Sequence, residues 1–274
     1  MNLKKSILYS IVFLIVIAFI GSCKKDDSID SDTVSASDCV NAENFFSNAK
    51  SIMDEAGLKN GPYNGILIDS SIVVQFDSSN STDSDTITVN FGNTYKTCID
   101  GRMRKGKISC IYLGNYNDTS NSHSISFSNY YIDFNMINGK IKDAFSGFSP
   151  SGHKYYHDTM TGSLRYSNGT TVTWYARNVI SFIAGDSSVA WNDDVMTING
   201  TAAGTTSDNQ QFSMNINSSL IKNFIPNCSK YIVKGGLQIA IRDKNGRTAD
   251  LGDGSCDDLI SVSIDGNIYQ AHAN

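Results

Sequence analysis

From about Asn60 onward the apolar residues of this chain recur at every second position, and that period dictates the fold class. Ile66, Ile68, Ile72, Val74 and Phe76 alternate with other residues, as do Ile87, Val89 and Phe91, and Ile108, Cys110 and Tyr112. The pattern returns in Val172, Trp174 and Ala176, and again in Phe212, Met214 and Ile216. It continues in Tyr231, Val233, Leu237, Ile239 and Ile241, and ends with Ile260, Val262 and Ile264. Such runs make strands with one buried and one solvated face, which favours antiparallel sheets. Between them lie nine tight-turn dipeptides. Asn-Gly begins at Asn60, Asn64, Asn138, Asn168, Asn199 and Asn245, and Asp-Gly at Asp100, Asp253 and Asp265. These pairs tolerate the positive φ angles of short hairpin turns. The expectation is a meander of roughly ten to fourteen strands. No clean repeat argues for a solenoid or propeller. In Ser126–Ile132 the apolar phase slips near Asn129, which predicts a β-bulge there.

One segment has a different period. Ala42, Phe45, Phe46, Ala49, Ile52, Met53 and Ala56 recur at steps of three and four, the stripe of an amphipathic helix. The expected helix runs from about Asp38 to Ala56, with Ser37 or Asp38 as its cap. Gly57 would end it in the left-handed conformation. The expected fold is mainly β: a large antiparallel meander curled into a barrel-like sheet or sandwich, with one N-terminal amphipathic helix packed on or inside it. An outer-membrane barrel does not fit, because the outward phase is Ser, Thr, Asn and Lys rather than a lipid-facing apolar band.

The first 23 residues set the expected address. Lys4 and Lys5 precede an apolar run from Ile7 to Ile20, and Gly21-Ser22 leads into Cys23. A basic, then apolar, then small-residue segment is a secretory signal, and this run is too short to span a bilayer. The cysteine at the cleavage point resembles the lipobox of bacterial lipoproteins, which implies lipidation of Cys23 and removal of residues 1–22. An anchor carrying several acyl chains holds effectively permanently, at about 0.8 kcal/mol per buried methylene. Lys25-Asp26-Asp27 resembles the signal that sends Bacteroidota lipoproteins to the outer surface of the outer membrane. Residues 23–37 read as a lipidated cysteine and a disordered tether reaching on the order of 20 Å. Residues 38–274 read as a single domain.

Charge narrows the partners. Without Lys4 and Lys5 the chain carries 20 basic against 27 acidic residues. Nucleic acid is not expected, since phosphate backbones demand basic clusters. The one basic stretch, Arg102 to Lys107, reads as decoration of a hairpin tip.

Five cysteines remain beyond Cys23. An oxidising envelope permits pairing, and an odd count leaves at least one thiol over. Cys98 and Cys110 flank a hairpin centred at Arg104, which would bring them within disulfide reach. Cys228 and Cys256 flank the Asn245-Gly246 turn, with the Gly252-Asp253-Gly254 irregularity absorbing a difference in register. The expected scheme is Cys228–Cys256 and Cys98–Cys110, with Cys39 free. Its rival links Cys98 to Cys228 or Cys256 and buries Cys110 as a small apolar residue.

Residues able to carry chemistry are sparse. His153 and His157 on a strand or loop lie about 13 Å apart, too far to share one ion. No CxxC occurs, the histidines are scattered, and no metal or other cofactor is expected. The acidic groups at Asp193-Asp194 and Asp250–Asp258 could offer oxygens to calcium, but turn-forming aspartates explain them more simply. There is no Gly-x-Ser-x-Gly elbow and no cysteine-protease signature. No catalytic residue is assigned, and no enzyme is expected. Tyr112, Tyr116, Tyr130, Tyr131, Tyr155, Tyr156, Trp174, Tyr175 and Trp191 sit among Asn and Ser. Exposed members could stack on sugar rings, whereas the rest would pack the core.

Thr97-Cys98-Ile99-Asp100-Gly101-Arg102-Met103-Arg104-Lys105-Gly106-Lys107-Ile108, running on to Tyr112 and Gly114, resembles a segment of Bacteroidota outer-membrane lipoproteins of unassigned function. Asn227-Cys228 and Gly252-Asp253-Gly254-Ser255-Cys256-Asp257-Asp258 resemble the same group. The likeness covers most of the chain after about residue 85 and implies a surface or periplasmic lipoprotein with a β-rich body. Cys39 and Cys110 stand outside those motifs. The expected function is a lipid-anchored, non-catalytic envelope protein that binds a glycan, a protein or envelope material at the cell surface. The alternative is a carrier or sensor of an apolar ligand held between curled sheet and helix.

Overall fold

The computed structural model describes residues 29–58, 67–68, 71–77, 84–116, 122–188, 192–225 and 227–273. Cys23, the Lys25-Asp26-Asp27 segment, the Asn60 and Asn64 turns, Ile66 and Trp191 lie outside the described residues. No described helix is long and apolar enough to cross a membrane.

Thirteen strands form one antiparallel meander, each paired with its neighbours in sequence. They are β1 (Val73–Asp77), β2 (Ser84–Thr97), β3 (Met103–Leu113), β4 (Ser122–Ile132), β5 (Asn135–Phe148), β6 (Lys154–Arg165) and β7 (Thr171–Ala184). Then follow β8 (Val195–Thr205), β9 (Gln211–Asn223), β10 (Lys234–Ile241), β11 (Arg247–Asp253), β12 (Leu259–Ile264) and β13 (Asn267–His272). The sheet is curled but not closed, with β1 and β13 as its edges. Alternation held where it was strongest: Val172, Trp174 and Ala176 are buried, while Thr173, Tyr175 and Arg177 are not. The slip near Asn129 is real. Pairing of β4 with β5 shifts between Ser126 and Tyr131, and Asn129 has φ 47°.

Several turn expectations are corrected. Asn138-Gly139 and Asn199-Gly200 lie inside β5 and β8. Gly139 sits so close to β6 that a Cβ would strike the Thr161 carbonyl. The hairpin between β4 and β5 instead turns at Asp133-Phe134, with φ 46° and 67°. Two positive angles in succession give the tight turn whose twist matches the strands.

The helix α1 (Val34–Leu58) begins four residues before the expected start, inside the segment expected to be tether. Its cap is neither Ser37 nor Asp38. The Asp32 carboxylate accepts from the Val34 N–H at 2.9 Å, and the Thr33 carbonyl accepts from Ala36 and Ser37. Gly57 does not end the helix in the left-handed region. It is helical, and the Tyr116 ring occupies the place of its missing Cβ.

Around α1 the sheet wraps, touching it from β2 through β7 and from β11. From Ser35 to Gly57 every side chain except Ser37 is buried. The apolar stripe from Ala42 to Ala56 shares one hydrophobic core with inward residues such as Phe91, Ile108, Trp174 and Leu220. A surface helix buries only one stripe, yet α1 carries its charged faces into the interior as well.

Candidate binding groove and the buried polar belt

Ser47 and Ser51 donate to carbonyls of α1 itself, but many of its other polar side chains meet partners elsewhere in the chain. Asp38 accepts from the Tyr166 hydroxyl at 2.8 Å and from the Ser207 N–H at 2.7 Å. Glu43 accepts from Asn178 at 2.8 Å, and Asn48 from Arg104 at 2.8 Å. Asn44 donates to the Lys230 carbonyl at 2.8 Å and accepts from Lys222 at 3.3 Å. Glu55 accepts the Leu67 and Ile68 N–H groups at 3.0 and 3.3 Å.

The sheet supplies a matching belt. Register pairs His123 with Asp143, Asp143 with Asp158, and Asp158 with Asn178, so all four face inward in one row. Lys50 lies against it, its Nζ 2.7 Å from Asp54 and 3.5 Å from Asp143. His123 Nδ1 is 2.9 Å from Asp143, and the Tyr116 hydroxyl donates to Asp54 at 2.9 Å. Burial works to raise Asp143, but the Lys50 ammonium and the His123 hydrogen bond overcome it and hold the carboxyl well below the usual range. Burial and the Asp143 charge push Asp158 the other way, well above that range. A neutral Asp158 can donate to Asp143, which accounts for one oxygen on each that has no other partner. Asp54, His123 and Asp143 bring one ligand atom each within 4.8 Å of one another. The positive charge among them is the Lys50 ammonium.

A second cluster contradicts the hairpin-tip reading of residues 102–107. Arg104 is fully buried and grips both Asp100 oxygens, at 2.7 and 2.5 Å. Burial is outweighed by this partner, which holds Asp100 below and Arg104 above their ordinary values. Arg102 donates to Asp133 and to the Lys230 carbonyl, each at 2.5 Å. Both arginines share the even-numbered inward phase of Ile108, Cys110 and Tyr112, a signal that extending the alternation would have found.

Asp100-Gly101 is also the actual turn between β2 and β3, and it removes the Cys98–Cys110 pairing. Thr97 pairs with Met103, so Cys98 sits beside the turn, whereas Cys110 lies far along β3 opposite Ile87. Cys39 and Cys110 are free and buried, Cys98 is buried as well, and burial pushes the Cys110 thiol up to about 12. Cys228 and Cys256 form a disulfide with Cα atoms 4.8 Å apart. Lys234 pairs with Asp253, which centres that hairpin near residue 243, two before the expected Asn245.

The outer face of the same sheet is different. Across β7 to β12 runs a groove of about 930 Å³, lined among others by Tyr175, Arg177, Thr201, Asn215, Gln238, Thr248 and Ser263. Its depth follows from side-chain size. Tyr175 pairs with Ala203, Ala203 with Ser213, and Ser213 with Ala240, so short side chains follow the tyrosine across the floor. The Arg177 guanidinium lies 5.4 Å from the Tyr175 ring centroid, and its Nε donates to the Tyr175 hydroxyl at 2.6 Å. The volume falls within the roughly 300–1,000 Å³ of small-ligand sites. Among its apolar residues the wall carries the hydroxyls and amides of Thr201, Ser213, Asn215, Gln238, Thr248 and Ser263, which suit a ligand that both donates and accepts.

Other expected residues disperse. His153 meets Asp186 at 2.7 Å and His157 meets Ser146 at 2.5 Å, so the two do not converge. Asp250, Asp253 and Asp257 accept N–H groups two residues on, as turn aspartates do. Asp194 is buried, and its carbonyl accepts from Phe224. Tyr112, Tyr116, Tyr130 and Trp174 pack the core, whereas Tyr175 is exposed in the groove. Comparison with protein-family models, with curated proteins and with solved structures finds no match to this chain.

Proposed function

We propose that the protein is a non-catalytic binding module of the bacterial envelope, lipid-anchored through Cys23, that takes a glycan in the outer groove. The anchor and the outer-membrane address rest on the signal-like residues 1–22, on Lys25-Asp26-Asp27 and on the resemblance of the Thr97–Gly114 and Gly252–Asp258 segments to Bacteroidota lipoproteins. The groove carries the functional reading. It joins one exposed aromatic ring, held by Arg177, to a row of hydroxyls and amides with apolar side chains between them. Sugars present an apolar ring face and a rim of hydroxyls, which is the complement of that surface. A carrier of an apolar ligand needs space between sheet and helix, and α1 fills that space with its own buried side chains.

The test is a glycan array probed with the full chain in detergent. Retention on a defined set of glycans, lost in a Tyr175→Ala and Arg177→Ala double variant, is the expected result. Absence of retention, together with a lipid co-purifying in stoichiometric amount, would reverse the reading in favour of the carrier.

A further inference from the structure

The groove has an internal order that its volume does not convey. Arg177 pairs with Thr201, Thr201 with Asn215, Asn215 with Gln238, Gln238 with Thr248, and Thr248 with Ser263. Six consecutive strands therefore present one side chain each in a single row. Five of these are exposed and Ser263 is half-buried, and all six line the groove. With neighbouring strands about 4.8 Å apart, the row is about 24 Å long and runs perpendicular to the strands.

The row is chemically uniform. Beyond Arg177 it holds only hydroxyls and amides. Asp265 contributes one acidic group to the lining, and the Arg247 guanidinium is turned away and engaged by Asp32 and Ser35. At the Arg177 end stands the Tyr175 ring, already oriented by its hydrogen bond and by the stacked guanidinium. A ring fixed before the ligand arrives lowers the ordering cost of binding.

We propose, building on the glycan-binding reading, that this groove holds a neutral, extended oligosaccharide lying across the strands, with one sugar ring stacked on Tyr175 and about one further ring over each following strand. A pyranose with its linkage is close in length to the strand spacing, so its hydroxyls recur in step with the row. Thr, Ser, Asn and Gln can each serve a hydroxyl, the amides and hydroxyls alike offering both donors and acceptors. An acidic chain would find one guanidinium and then no further cation. A peptide adding as an extra strand needs free backbone groups at a sheet edge, and β7 to β12 are each paired on both sides.

The test is calorimetric titration of the full chain in detergent with linear β-1,4-glucan, β-1,4-mannan, β-1,4-xylan and α-1,4-glucan oligomers of two to seven rings, with galacturonate oligomers as the charged comparison. At least one neutral series should gain about tenfold or more in affinity from two rings to six and then level off. Thr248→Trp, which obstructs the far end of the row, should weaken six rings about tenfold and leave two rings within about twofold. Tyr175→Ala should weaken both lengths. Affinity independent of length, tighter binding of galacturonates, or an indifferent Thr248→Trp would overturn the across-strand arrangement while leaving glycan binding in place. Failure of every series in the titration and of every glycan on the array would overturn both.

Discussion

Arg177 and Asn178 are neighbours on β7, yet they belong to two different polar surfaces. Asn178 faces inward, at the end of the His123–Asp143–Asp158 row, and donates to a fully buried glutamate of α1. Arg177 faces outward, at the end of the row that lines the groove. The inner surface is rich in charge, and its charges are met by opposite charges or hydrogen bonds. The outer surface is polar but nearly uncharged, and water satisfies whatever its neighbours do not. Removing a group should therefore unbalance the inside and leave the stability of the outside almost unchanged.

The largest effect is expected at Lys50. Its ammonium is the only cation within ion-pair distance of both Asp54 and Asp143 among the described residues. Lys50→Met keeps the volume and strands two buried carboxyls. Removing one partner of a buried pair costs about 3–5 kcal/mol, to be read as a fall in the urea unfolding midpoint. A loss below about 1 kcal/mol would mean that water reaches the cluster, and the contrast between the two faces would fail.

The disulfide spans the two environments, with Cys228 buried and Cys256 exposed. Between its cysteines lies Lys230, whose carbonyl accepts from Arg102 and Asn44. A bridge across a sequence separation of 28 contributes about 3.5 kcal/mol by the chain-entropy account. Cys228→Ala with Cys256→Ala should cost that much in thermal or urea unfolding. Amide exchange should also rise at Arg102 and Asn44 before it rises in β7. An equal rise everywhere would show that the bridge acts on the unfolded chain alone.

The interior should also respond to pH in a way the groove does not. Burial pushes Glu43 up to about 7 from an ordinary 4.5. The folded chain then keeps a proton that the unfolded chain releases between those values, so stability falls as pH rises from 4.5 to 7. Asp158, raised by burial and by Asp143, acts in the same direction. Burial, with Arg102 nearby, brings Lys222 down to about 7 from 10.5. Here the unfolded chain holds the extra proton, and stability rises as pH climbs from 7 towards 10.5. Unfolding midpoints measured against pH should trace a trough near 7, each limb on the order of 1–3 kcal/mol deep. Glu43→Gln should flatten part of the acid limb, and Lys222→Met the alkaline limb. A profile without a trough would show that the two groups titrate as if in water.

How much of this was legible in the sequence follows from what alternation encodes. Period two revealed the meander, its outward Ser and Thr, and the bulge at Asn129. It also carried the buried charges, unread. Arg102 and Arg104 continue the phase of Ile108, His123 that of Ile125, Asp143 that of Ile141, and Asp158 that of Met160. A pattern traced through apolar residues alone passes over them, because a charged residue is assumed to face water. The helix misled in the same way. Its apolar stripe was plain, but nothing local shows that the opposite face is covered too, since that depends on how far the sheet curls. Asn138-Gly139 failed as a turn because two strands approach closely there, a fact of pairing rather than of the dipeptide. The groove was beyond reach for a related reason: its row joins six strands through register, and register is set between strands.

The smallest effect is the sharpest comparison, because it uses adjacent residues. Asn178→Ala removes the donor to Glu43 Oε1 in a dry interior, and leaving a buried acceptor unsatisfied costs about 1–3 kcal/mol. Arg177→Ala, one residue away, removes a charge, a stacked guanidinium and a hydrogen bond to Tyr175. All of these lie on an exposed surface where water replaces the lost partner, so its unfolding midpoint should move by no more than about 0.5 kcal/mol. Binding should reverse the order. Arg177→Ala frees the Tyr175 ring and lowers glycan affinity, while Asn178→Ala, measured well below its unfolding transition, keeps it. Urea unfolding and calorimetric titration on the two variants give four numbers, and only the crossed pattern agrees with a belt that holds the fold and a groove that holds the ligand. If Arg177→Ala costs as much stability as Asn178→Ala, the outer row is part of the scaffold, and the groove is a consequence of strand packing rather than a site.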